Sequence, residues 1–67
     1  MDLIINDEII EDALNYFRSK KLEIEYIEEE REYRIFDFFT DALYTEEELI
    51  LQYLRETKRR YNGKTYW

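Results

Sequence analysis

Residues 22–43 read LEIEYIEEEREYRIFDFFTDAL. Leu22, Ile24 and Tyr26 alternate with Glu23 and Glu25, the two-residue period of a strand with one buried and one charged face. Tyr33 and Ile35 resume the alternation around Arg34. Residues 22–27 and 32–37 are therefore expected to pair as an antiparallel hairpin whose turn, residues 28–31, lacks the usual Gly or Asn. A rival reading exists. Ile35, Phe36, Phe38, Phe39, Ala42 and Leu43 also share an arc of roughly 160° on a helix, with Arg34, Asp37, Thr40 and Asp41 opposite. That stripe cannot extend back past Tyr33, because Glu28, Arg31 and Glu32 would then fall on its apolar side. The balance favours a strand to about Asp37 and a short helical turn over residues 38–43.

The flanking segments are plainer. Asn6 is a good helix N-cap, with Asp7 and Glu8 in the first turn and Ile5 placed to staple onto Ile10. Ile9, Ile10, Ala13, Leu14, Tyr16 and Phe17 form one apolar face, so a helix is expected over residues 7–19, ending near Lys20 and Lys21. Thr45 and Glu48 make a capping box for a second helix from Glu46 to about Arg60, with Asn62 and Gly63 as its left-handed stop. Leu49, Ile50, Tyr53, Leu54, Thr57 and Tyr61 line its inner face. Leu51 lies off that stripe and is a candidate dimer contact. The expected fold is a small α+β domain in the order α-β-β-α, both helices on one face of the hairpin and the acidic face outward. The alternative is a three-helix domain.

At 67 residues this is one small domain over residues 1–67, with residues 61–67 as a basic and aromatic tail. A single core of this size leaves roughly 3–5 kcal/mol of net stability. Without Cys or His, neither disulfides nor a Cys/His metal site can add to it, which makes self-association or partner binding an expectation. Twelve aromatic residues and 45% hydrophobic content are far more than a disordered acidic chain carries, so the chain should fold. No apolar run approaches the ~20 residues of a membrane span, and the signal-peptide order of basic, apolar and small residues is missing. The expected location is cytoplasmic, away from membranes.

Charge is unevenly placed. Residues 1–56 hold all 17 acidic residues against six basic ones, a net of −11, whereas residues 57–67 hold Lys58, Arg59, Arg60 and Lys64 and no acid. An acidic body repels nucleic acid and attracts proteins with basic grooves; surplus carboxylates also keep an aromatic-rich surface soluble.

Little here can perform catalysis. Without His or Cys, and with Ser19 as the one serine, acid–base and nucleophilic routes lack their usual groups. Asp37, Asp41, Glu56 and Lys58 superficially resemble a magnesium nuclease set, but Glu56 and Lys58 fall nearly opposite each other on a helix. No Gly-rich phosphate loop or calcium loop occurs. The expectation is no enzyme, no metal and no cofactor.

Two surface sets remain. The acidic one comprises Glu23 and Glu25 on the hairpin, Glu28, Glu29 and Glu30 at its tip, with Tyr26, Tyr33 or Tyr44 as rigid anchors. Glu46–Glu48 are explained by the helix dipole alone. The basic set is Arg55, Lys58, Arg59, Arg60 and Lys64 with Tyr61, Tyr66 and Trp67, the chemistry that contacts phosphate and unpaired bases. Its residues equally suit a helix C-terminus and a tail folded onto the core. The leading expectation is an interaction module that inhibits or regulates another protein by occupying its basic nucleic-acid-binding groove, as small phage and mobile-element inhibitors do. Alternatives are a dimeric DNA- or RNA-binding regulator using the basic helix, and a structural or antitoxin-like subunit.

Overall fold

Asn6 opens the first helix: its side-chain oxygen accepts the Ile9 N–H at 3.0 Å. In the computed structural model, which describes residues 3–67, helix α1 spans Asp7–Ser19 and buries Ile9, Ala13, Leu14 and Phe17. Its end is a Schellman turn. The N–H of Lys21 donates to Arg18 C=O at 2.9 Å and that of Leu22 to Phe17 C=O at 3.3 Å, with Lys21 left-handed at φ 64°.

Strands β1 (Glu23–Ile27) and β2 (Glu32–Phe36) then pair antiparallel, with Ile24 opposite Ile35 and Tyr26 opposite Tyr33. Residues 28–31 close the hairpin through an Arg31 N–H to Glu28 C=O bond of 3.3 Å. The left-handed position that usually takes Gly or Asn is filled by Arg31, at φ 54°.

The expected helical turn over residues 38–43 does not form. Asp37 starts a reverse turn instead, donating its N–H to Thr40 C=O at 2.8 Å. Its side-chain Oδ1 accepts both the Phe39 and Thr40 N–H groups at 2.7 Å. The chain then returns as β3 (Asp41–Thr45), antiparallel to β2, with Ala42 opposite Ile35 and Tyr44 opposite Tyr33. The helical stripe misled because it counted Phe38 and Phe39 as core residues, whereas they are 95% and 92% exposed. The three-helix alternative fails with it, since residues 33–43 run strand, turn, strand. The order is α-β-β-β-α around a sheet β1-β2-β3.

Thr45 ends β3 and caps α2 (Glu46–Thr57), with the full Thr45–Glu48 capping box present. Helix α2 buries Leu49, Ile50, Tyr53 and Leu54. It stops short of Arg60, at Lys58 with φ 56°, where the Lys58 and Arg59 N–H groups both return to Leu54 C=O. Gly63 is therefore not the helix stop. Asn62 (φ 53°) and Gly63 (φ 74°) form the tight turn of a miniature hairpin, in which Tyr61 and Lys64 exchange two 3.0 Å backbone bonds.

Both helices cover one face of the sheet, where Ile35 is buried and Ile24, Tyr33 and Tyr44 pack against the core. The helices are tied to each other at their C-terminal ends. Glu56 accepts from Lys20 Nζ and the Tyr16 hydroxyl, each at 2.8 Å, and from Gln52 at 2.7 Å. Partial burial raises the Glu56 pKa, and these donated bonds outweigh it and hold the carboxyl below its ordinary value. Among the described residues no helix is long and apolar enough to cross a membrane.

Candidate functional site

Strand alternation assigns the face away from the helices. Its cross-strand rows are Glu23–Phe36–Asp41, Glu25–Arg34–Leu43 and Ile27–Glu32–Thr45. Arg34 stands at the centre. It forks onto Asp41, Nε to Oδ1 at 2.9 Å and Nη2 to Oδ2 at 2.7 Å, reaches Glu25 at 3.8 Å, and lies 4.3 Å over the Phe36 ring. The bond from Arg34 holds the Asp41 carboxyl below its ordinary range.

Glu23 and Glu25 are exposed on this face, as expected, and Glu28, Glu29 and Glu30 are exposed at the turn beyond it. Charge there is crowded: a hydrogen bond with Glu30, then partial burial and the neighbouring Glu30 and Glu48 charges, raises the pKa of Glu32. Tyr26 and Tyr33 do not join the carboxylates of the strands. Two-residue alternation turns them to the helix side, their rings 4.9 Å apart, and Tyr44 beside them stacks on Phe17 at 6.4 Å. Tyr33 and Tyr44 pack against the core, whereas Tyr26 stays 47% exposed at the rim of that face.

The apolar residues on or beside the uncovered face are others. Phe36 lies under Arg34, Leu43 is 50% exposed, and Phe38 and Phe39 project from the β2–β3 turn with ring centroids 5.7 Å apart in an edge-on arrangement. Helical spacing alone places Phe38 and Phe39 on an apolar stripe. A signal was present: Asp37 and Thr40 bracket the pair as turn residues do, with the aspartate placed to bond the backbone two residues on.

The cations of the basic set remain exposed while bonding to their own chain. Arg59 donates to Asp12 at 3.0 Å and to the Tyr53 hydroxyl at 2.7 Å, joining α1 to α2. Arg55 bonds Tyr66 C=O at 3.3 Å, Arg60 bonds Gly63 C=O at 2.9 Å, and Lys58 sits 5.9 Å from the Trp67 ring. The Tyr61 hydroxyl donates to Ile4 C=O at 2.8 Å, and Tyr66 packs against the core. Lys64 lies in the terminal mini-hairpin. Leu51 is half-buried beside a shallow depression with Tyr44, Glu48, Gln52 and Arg55. The nuclease-like set is dispersed, with Asp41 on the outer sheet face and Glu56 in the helix layer.

Against protein-family models, curated proteins and solved structures alike, the chain has no significant match. The geometry alone therefore carries the functional reading. No cluster of three or more metal-ligating side chains occurs among the described residues. The geometry does offer one open sheet face that is both acidic and apolar.

Proposed function

We propose that this chain is a protein-binding module that inhibits or regulates a larger protein by setting its uncovered sheet face against a basic surface, of the kind that lines a nucleic-acid groove. One observation carries the reading: the helices occupy a single face of the sheet, and Glu23, Glu25, Glu32 and Asp41 stand on the other around the single cation Arg34. Carboxylates two residues apart on a strand are separated by about 6.6–6.8 Å, which makes a spaced row of negative charge. Such a row speeds encounter with a basic partner and competes with phosphate for the same cations. Glu28, Glu29 and Glu30 extend it past the end of the sheet.

The test is a capture-and-displacement assay. Tagged protein is used to capture partners from source-cell lysate, and duplex DNA is titrated into the complex. The expected result is one nucleic-acid-binding protein released by the duplex, and no longer retained when Glu23, Glu25, Glu28, Glu29 and Glu30 are all changed to Gln. Undiminished capture by that variant would overturn the reading. Recovery of nucleic acid bound directly to the chain would move the site to the Lys58–Trp67 region.

A further inference from the structure

The β2–β3 turn holds two phenylalanines where reverse turns ordinarily hold Gly, Asn, Asp, Ser or Pro. Neither supports this chain's own core, since Phe38 is 95% and Phe39 92% exposed. The turn is also tied by hydrogen bonds. Asp37 fixes it through its own N–H to Thr40 C=O and through two 2.7 Å bonds from the Phe39 and Thr40 N–H groups to Oδ1. The rings brace each other at 5.7 Å and 64°. Holding two large rings in one geometry before binding lowers the ordering cost of association, which is how aromatic hot spots act.

Resting on the reading of this chain as a protein-binding module, we infer that Phe38 and Phe39 are its anchor and enter an apolar cleft on the partner, whose rim carries lysine or arginine. The cationic rim follows from the adjoining face, where four carboxylates share the surface with one guanidinium, itself paired with Asp41 and Glu25. A second copy of this chain fits poorly. The formal charge of −7 on each chain opposes self-docking. An anionic bilayer is repelled by the same carboxylates.

The experiment pans the full-length chain against a display library of random twelve-residue peptides and measures the affinity of the enriched peptides, once synthesised. Enriched peptides should combine aromatic or large aliphatic residues with Lys or Arg. The Phe38→Ser and Phe39→Ser double variant should weaken them by about 30-fold or more. Both sites are exposed, so its circular dichroism should match the parent, and Glu11→Gln, at an exposed position of α1, should bind as the parent does. The inference is overturned by a library without Phe-dependent binders, or by enriched peptides that lack cations. It is equally overturned by a Phe-dependent dimer in sedimentation, or by Phe-dependent binding to phosphatidylcholine or phosphatidylserine vesicles. The two proposals fail separately. If groove occupation is wrong, duplex DNA will not displace the captured partner while Phe-dependent peptide binding persists. If the anchor is wrong, the double Ser variant will still capture that partner.

Discussion

Lys21, Arg31 and Lys58 each hold a left-handed backbone conformation, with φ of 64°, 54° and 56°, at the end of α1, in the β1–β2 turn and at the end of α2. For a residue with a Cβ that conformation costs roughly 1–2 kcal/mol, and glycine avoids it. With a single glycine, at position 63, the chain meets these turns with long basic side chains instead. At Lys21 the backbone bonds to Arg18 and Phe17 need no side chain. Lys21→Gly should therefore stabilise the protein. After allowance for the greater freedom of glycine in the unfolded chain, the gain should be about 0.5–1 kcal/mol, read as a rise in Tm of roughly 3–6 °C. An unchanged or lower Tm would show that the turn is not strained. Arg34 makes the same point about chemistry: its forked bond to Asp41 and its place over Phe36 could not be assigned from sequence, because both partners come from neighbours along or across the sheet.

Among the elements, the joint between β3 and α2 is the tightest. Thr45 pairs with Glu32 as the last ladder residue and accepts the Glu48 N–H at 3.2 Å as the helix cap, while the Glu48 side chain accepts the Thr45 N–H at 3.0 Å. Thr45→Ala should cost about 1 kcal/mol in chemical denaturation, and Thr45→Ser should restore most of it, because only the hydroxyl is needed. Equal loss in both variants would point to strand packing of the methyl group instead. Both helices and the first hairpin were legible in the sequence, because caps and apolar periods act over neighbouring residues. Strand β3 was not. DALYT is five residues long with one strongly apolar inward residue, Tyr44, and its preceding Phe-Phe pair completes a helical stripe by spacing alone. What makes it a strand is the open edge of β2, to which it contributes a full ladder.

For the molecule as a whole, a small core makes every buried side chain count. Leu54 is fully buried, and Leu54→Ala should cost about 2–5 kcal/mol, comparable with the roughly 3–5 kcal/mol available to a domain of this size. Its far-ultraviolet circular dichroism should show a largely unfolded population at 25 °C; a native spectrum and an unshifted Tm would mean that the core is better buffered than its size implies. Acid should act in two stages. Glu32 has a raised pKa, so its contribution is greatest below the ordinary value of 4.5 and is lost as pH rises through the raised one. Asp41 and Glu56 have lowered values, so their contributions are present above the ordinary 3.8 and 4.5 and are lost as pH falls through the lowered ones. Tm should hold or rise slightly as pH falls through the raised Glu32 value and fall below about pH 4, by small amounts because solvent screens these partly exposed groups. Glu32→Gln should remove any rise, and a Tm falling steadily from neutrality would contradict the scheme. The sequence by itself determined the α+β class, both helices, the first hairpin and the separation of acidic from basic charge, because period, capping and composition are written in adjacent residues. Only the tertiary structure decided that the sheet has a third strand, that Tyr44 on it packs against the core, that the basic tail bonds its own chain, and that Phe38 and Phe39 stand in solvent. Each of those depends on which surface of one element another covers, and coverage is a property of the assembled layers.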